Sequence, residues 1–289
     1  MEASRIVSLP TCGITGLWSP MADVPTAPQR LLVCVHGGGY THRYFDVPGA
    51  SLVEAGNSAG FHVFSIDRPD HGGSRRPPRS NELIRRNGEI LANAIQELIE
   101  RHAPEVRDVV IVGHSIGGAV SICAAALSPT WLAGVAVSGV GLIPKPLPVK
   151  WIPLRRLNGM PKFLAVRKFF GPPHTFDRVM AYKSLSLGLT KVVKKELLEI
   201  ANWWPQNLHS IAQNVRVPVD SALGQYDALW LVTQESVKNF GAAFANSPGV
   251  RADIVSDVGH CIDHHLQGHN FHVRQLDFAT ACCKDRNLL

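Results

Sequence analysis

Val109-Val110-Ile111-Val112-Gly113-His114-Ser115-Ile116-Gly117-Gly118-Ala119-Val120 is the stretch of this 289-residue chain on which the fold turns. Four β-branched residues in a row read as a short buried strand, and the small and apolar residues from Ala119 to Leu127 read as a helix. Val109 to Leu127 is apolar almost throughout and long enough to resemble a membrane span. Gly113-His114-Ser115 interrupts it, so strand, turn and helix follow in that order. Gly113, Gly117 and Gly118 leave room for a backbone that a Cβ would obstruct. A Gly-x-Ser-x-Gly pattern on such a sharp turn lifts the hydroxyl clear of the sheet, which makes Ser115 the candidate nucleophile. A second match, Gly56-Asn57-Ser58-Ala59-Gly60, has the wrong context. It follows the helix-like Ser51 to Ala55 and precedes a strand, so Ser58 lies in a helix-to-strand loop.

Outward from this turn, strand-length apolar runs alternate with helical patterns. Leu31 to Val35, His62 to Ile66, Val109 to Val112 and Leu132 to Val137 are continuously apolar rather than alternating, the mark of a parallel sheet covered on both faces. Leu91, Ala94, Ile95, Leu98 and Ile99 recur at helical spacing between the second and third of these runs. Val217 to Leu223 and Val250 to Val255 are further strands, with a helical stretch around Thr233 to Phe244 between them. The order predicts a doubly wound α/β sheet. Residues 142–213 break the rhythm, with many prolines and with Trp151, Phe163, Phe169, Phe170, Trp203 and Trp204 among short helical patterns. A connection this long inside a compact domain is usually functional. The expected organisation is therefore a core of residues 1–141 and 214–289 with a helical lid at 142–213.

Composition fits that reading. With 45% hydrophobic and 18% charged residues the chain can fill a core and is not disordered. Its 29 Lys and Arg against 23 Asp and Glu leave a net charge of +6, but the cations are scattered and no nucleic-acid motif appears. The six cysteines are widely spaced and mostly sit in apolar runs, where a thiol behaves as a small hydrophobe rather than part of a disulfide framework. No basic and apolar leader opens the chain and no lipidation signal ends it, so the expectation is a cytoplasmic protein that engages neither membrane nor nucleic acid.

A serine hydroxyl needs a base, and the base needs an acid to orient it. In a sheet of this order the acid and then the histidine follow on loops after later strands. Asp227, reached through Gly224-Gln225-Tyr226, and His260, in Asp257-Val258-Gly259-His260, occupy those places. Among rival acids, Asp220 falls inside an apolar strand, and Asp257 and Asp263 are too near His260 in sequence; the loop after Leu132 to Val137 holds Ser138 instead. Charge developing on a carbonyl oxygen needs two backbone donors. Ile116, next to the nucleophile, supplies one, and the loop His36-Gly37-Gly38-Gly39-Tyr40 supplies the other, at Gly38 with Gly39 as its rival. Gly39, Tyr40, Trp151, Trp203 and Trp204 are the candidate substrate contacts.

These motifs make the chain resemble a Ser-type α/β-hydrolase-fold protein over nearly its whole length. Val35-His36-Gly37-Gly38-Gly39, Asp67-Arg68-Pro69-Asp70-His71-Gly72-Gly73-Ser74, Gly113-His114-Ser115-Ile116-Gly117-Gly118, Gly224 to Asp227 and Gly259-His260 occur in the family's order. The resemblance implies an eight-stranded, mostly parallel sheet, a lid after the sixth strand, and acyl-transfer chemistry without a cofactor. Asp70 stands where a glycine is common. The glycine triplet is similar to that of the hormone-sensitive-lipase branch, whose elbow reads differently from Gly-His-Ser. Members that open epoxides or remove halides carry aspartate at the nucleophile, which Ser115 argues against.

Two clusters remain. His260, His264, His265, His269 and His272 include pairs four apart, but no carboxylate or cysteine completes a zinc ligand set, so no metal is expected. Arg75, Arg76, Arg79, Arg85 and Arg86 read as a solvated face, with attraction of an anionic substrate part as the sharper alternative. Cys261, beside His260, reads as packing. The expectation that follows is a hydrolase of a carboxylic ester or thioester of a bulky apolar small molecule. The alternatives are C–C cleavage, lyase, cyclisation or acyl-transfer chemistry on the same elements, or a ligand-sensing binder.

Overall fold

In the computed structural model, which describes residues 3–21, 29–146, 161–190 and 192–285, an eight-stranded sheet carries the molecule. In chain order its strands are β1 (Arg5–Leu9), β2 (Ile14–Ser19), β3 (Arg30–Val35), β4 (His62–Asp67), β5 (Asp108–His114), β6 (Leu132–Ser138), β7 (Val219–Gly224) and β8 (Val250–Val255). They lie side by side in the order β1-β2-β4-β3-β5-β6-β7-β8. β2 pairs antiparallel with β1 and β4, and every other pairing is parallel. The six strands from β3 on were expected from their apolar runs, whereas the β1–β2 hairpin was not located individually.

Alternation along each central strand builds two cores. Leu31, Val33 and Val35 of β3 and Val109 and Ile111 of β5 enter one apolar cluster, while Leu32, Cys34, Val110 and Val112 enter the other. Because successive side chains point to opposite faces, a strand covered on both sides must be apolar at every position. α2 (Leu83–His102), α3 (Ile116–Ala125) and α8 (Gln234–Ala242) cover the first face. α1 (Leu52–Ser58) and α9 (Gly268–Asp285) cover the second. Ser58 is the last residue of α1 and its hydroxyl bonds the Glu54 carbonyl 2.9 Å away, so it is a helix terminus remote from the elbow.

Between β6 and β7 the chain forms α4 (Lys162–Phe170), α5 (Arg178–Gly188), α6 (Lys194–Leu198), a π-helical turn at Glu199–Trp203 and α7 (Trp204–Ala212). α4 to α6 lie over the carboxyl ends of the strands. α7 instead packs against α3, with Trp204, Leu208, Ile211 and Ala212 inside the first core cluster. No helix among the described residues is long and apolar enough to cross a membrane.

Candidate active site

The turn from β5 into α3 has the geometry that its glycines allow. Ser115 sits at φ 54° and ψ −123°, a region that costs a side-chain-bearing residue about 1–3 kcal/mol. A Cβ on Gly117 would collide with the carbonyl oxygens of Val35 and His36, so only glycine lets the start of α3 lie against the end of β3. The Ser115 N–H donates to the Ser138 carbonyl at 2.7 Å, which ties the elbow to the end of β6.

Three residues from distant parts of the chain meet there. Ser115 Oγ lies 2.9 Å from His260 Nε2, and His260 Nδ1 lies 2.7 Å from Asp227 Oδ2. A carboxylate only accepts, so Nδ1–H donates to Asp227 and Nε2 is left to accept the serine proton. Asp227 is fully buried, and its other oxygen accepts the N–H of Leu229 at 2.7 Å and of Trp230 at 3.3 Å. Lys145 Nζ donates to the Asp227 backbone carbonyl at 2.7 Å. His260 is held by its neighbours: the Gly259 N–H donates to His265 Nε2 at 3.0 Å, and the Cys261 N–H donates to the Phe169 carbonyl of α4 at 3.1 Å.

The rival acids are engaged elsewhere. Asp220 takes Arg251 and Arg274 in paired hydrogen bonds of 2.6–3.0 Å. Asp263 accepts the Tyr44 hydroxyl at 2.8 Å, and Asp257 is exposed on a turn at φ 55°.

A largely apolar cavity of about 130 Å³ opens on the serine. Gly38, Tyr40, Ile116 and His260 line it from the core, Phe169, Leu189, Val192 and Ile200 from the inserted helices, and Leu229 and Trp230 from the loop after Asp227. Ile116 is the first residue of α3, where N–H groups have no partner within the helix. Gly38 lies opposite, close enough that a Cβ there would meet Ile116 Cδ1 at 2.7 Å.

The loop bearing Gly38 is clamped from behind. Arg68, 1% exposed, donates from Nε to the His36 carbonyl at 2.8 Å and from Nη2 to the Gly37 carbonyl at 3.2 Å. Its guanidinium also forms a two-point pair with Glu196 of α6 at 2.5 and 3.1 Å, and Asn87 donates to the same carboxylate at 3.0 Å. Asp70 takes the left-handed backbone, φ 64°, that a glycine would adopt in that turn.

Of the expected substrate contacts, Tyr40 lines the cavity and Trp151 lies outside the described residues. Trp203 and Trp204 do not reach it. Trp203 faces away, with the Arg85 guanidinium 5.6 Å from its ring centre, and Trp204 is fully buried beneath α7 with its indole N–H on the Gly141 carbonyl at 3.1 Å. Helix α7 turns its apolar stripe toward α3, which carries the Trp204 ring from the serine. Gly39 is spent on the insertion: its carbonyl accepts the N–H and, at 3.1 Å, the hydroxyl of Thr190. Among the described residues the cavity tryptophan is Trp230, three residues past Asp227, a position the acid loop itself would have pointed to.

The histidine and arginine clusters have other engagements. His264 bridges Ser184 and the Tyr44 carbonyl, both at 2.9 Å, and His265 joins Gly259 to Thr175. Among the described residues no group of three His, Cys, Asp or Glu is placed to hold a metal. Arg85 and Arg86 of α2 pair with Glu82, at the N-cap of that helix, and with Glu89 at 2.9 and 3.2 Å, and neither lines the cavity. Cys261 is fully buried, which raises its thiol pKa and keeps it a packed hydrophobe.

Comparison with known proteins adds the family. A sequence model of the alpha/beta hydrolase family matches residues 32–271. No curated protein matches the chain significantly. Solved structures do. A lipase-esterase related protein from Clostridium acetobutylicum ATCC 824 is 15% identical with a TM-score of 0.67, over 91% of this chain and 99% of that one. A thermophilic esterase from Thermogutta terrifontis is 18% identical with a TM-score of 0.64, over 97% and 99%. The enol-lactonase from Burkholderia xenovorans LB400 is 17% identical with a TM-score of 0.65, over 93% and 97%. At these identities the likeness is one of fold.

Proposed function

The chain belongs to the alpha/beta hydrolase family, and from that premise we propose that it is a serine hydrolase cleaving a carboxylic ester or thioester of an apolar small molecule through an acyl-enzyme. The observation that carries this reading is the unbroken hydrogen-bonded chain from Ser115 through His260 to Asp227, with its hydroxyl end in an apolar cavity. Ser115 Oγ attacks the substrate carbonyl while its proton passes to His260 Nε2, and Asp227 stabilises the imidazolium that forms. The oxyanion is held by the N–H groups of Gly38 and Ile116. Collapse of the tetrahedral adduct expels the alcohol or thiol, which takes the proton from His260. A water molecule, deprotonated in turn by His260, then attacks the acyl-enzyme, releases the acid and restores the serine.

A cavity of about 130 Å³ is close to one that holds a benzene ring. The group nearest Ser115 is therefore about that size, and a bulkier substrate extends past it. The helices α4 and α6, with Leu189, Val192 and the π-helical turn, act as the lid, because they supply the outer wall of that cavity. None of the six cysteines is in a disulfide, in keeping with action in the cytoplasm. Because an esterase and a lactonase are among the structures it resembles in fold, the test panel includes cyclic as well as open-chain esters. The deciding experiment is labelling with a fluorophosphonate together with turnover of 4-nitrophenyl esters, acyl-thioesters and lactones. Labelling confined to Ser115, and a loss of about three orders of magnitude or more in kcat/KM in Ser115→Ala, are the expected results. Near wild-type turnover in Ser115→Ala would remove the reading.

A further inference from the structure

The cavity wall is apolar apart from a few groups, and one of these has no part in the chemistry above. Lys145 lines the cavity beside Leu229 and Trp230. Its backbone is held there. Its N–H donates to the Leu229 carbonyl at 2.7 Å, the Leu231 N–H donates to the Ile143 carbonyl at 2.9 Å, and Pro144 bridges Trp230 in antiparallel fashion. A short ladder thus fixes the lysine backbone to the loop that carries Asp227.

An ammonium has three N–H donors. One goes to the Asp227 carbonyl, and the other two meet no acceptor among the described residues. No aspartate or glutamate among the described residues lines the cavity. Asp227, the nearest carboxylate in the chain of contacts, turns its oxygens to His260, Leu229 and Trp230. The half-buried ammonium is left with two donors for water or for an anionic group that enters the cavity.

We propose that Lys145 recognises a carboxylate, so that the preferred substrate is an ester, thioester or lactone whose apolar body carries one anionic group within reach of Nζ. The inference rests on the serine-hydrolase reading and narrows its substrate class. A lysine that only pinned the Asp227 loop would affect all substrates alike, whereas a recognition group changes the ratio between charged and neutral ones.

Matched esters measure that ratio. On the acyl side, 4-nitrophenyl valerate is compared with the mono-4-nitrophenyl ester of glutaric acid; on the alcohol side, phenyl acetate is compared with 4-acetoxybenzoate. The wild-type protein is expected to favour the anionic member of at least one pair by about 10- to 100-fold in kcat/KM, the range of a hydrogen bond to a charged partner. Lys145→Met should abolish that preference, and Lys145→Arg should retain most of it. A second measurement needs no ester turnover. Hexanoate should protect Ser115 from a neutral fluorophosphonate at about a tenth or less of the concentration of hexanol, and Lys145→Met should cancel the difference. Neutral and anionic partners that behave alike in the wild type, or a Lys145→Met protein that slows both members of each pair equally, would overturn the inference while leaving the hydrolase reading in place. Absence of both labelling at Ser115 and turnover of every ester would instead strike the hydrolase reading.

Discussion

In the proposed mechanism Ser115 is both a backbone hinge and the nucleophile, and the two demands conflict. Its φ of 54° and ψ of −123° suit glycine and cost any other residue about 1–3 kcal/mol. The strain is tolerated because it lifts the hydroxyl to His260. Ser115→Gly should therefore lose turnover as fully as Ser115→Ala does. It should nevertheless unfold about 1–4 °C higher than Ser115→Ala, since relief of strain exceeds the added freedom of a glycine in the unfolded chain. Thermal denaturation of the two variants side by side tests this; equal midpoints would mean that the elbow stores no strain. Asp227 poses a separate demand. Asp227→Asn keeps the shape but offers His260 Nδ1 an amide that donates as readily as it accepts, so the wrong tautomer becomes accessible. A loss of about four orders of magnitude in kcat with little change in KM is the expected outcome in steady-state kinetics.

At the scale of elements, α6 and the loop after β3 are joined by the buried Arg68–Glu196 pair, each side chain 1% exposed. Arg68 also holds the His36 and Gly37 carbonyls, so the inserted helices bear on the backbone that presents Gly38. Removing one member of a buried ion pair leaves the other uncompensated and costs about 3–5 kcal/mol, while replacing both by apolar residues is often neutral or stabilising. Glu196→Gln should lower the unfolding midpoint and kcat together. The double variant Arg68→Met with Glu196→Leu should recover the midpoint but not kcat, because the clamp on the His36 and Gly37 carbonyls is lost with Arg68. Recovery of both would show that the pair serves stability alone. This contact was invisible in the sequence, where its members lie 128 positions apart and nothing about Glu196 distinguishes it from other helix-surface acids. The meeting of Ser115, Asp227 and His260 was legible because each follows a recognisable strand at a motif-bearing turn. The six parallel strands were legible because burial on both faces forces unbroken apolar runs. Trp203 and Trp204 were misplaced because composition tells that aromatic rings are present, not which way α7 turns when it packs on α3.

Across the whole molecule the histidines are the most uneven feature. His36, His114 and His264 are fully buried and His71 and His265 nearly so, and burial is the leading cause that lowers the pKa of all five. For His264 and His265 the values fall to about 4. A histidine whose pKa is lower in the folded than in the unfolded chain binds fewer protons when folded. Its contribution is present above the unfolded value of 6.5 and is lost as the pH falls from there toward 4. Asp263 acts in the same sense further down: burial raises its pKa, but His272, His114 and His264 together outweigh that and hold it below the usual carboxylate value, so its contribution too is lost toward acid. These groups surround the site. His114 stacks on Tyr44 with ring centres 4.5 Å apart and lies 4.9 Å from the His260 ring, and His265 holds the Gly259 N–H. Protonation in this layer would open the packing beneath His260 before the sheet itself unfolds. The unfolding midpoint should drop by roughly 5 to 10 °C between pH 7.5 and pH 5, with two such histidines alone accounting for about 4 kcal/mol. A midpoint that stays level over that range, measured by circular dichroism at constant ionic strength, would mean that the buried imidazoles are reached by water and charge without disturbing the fold.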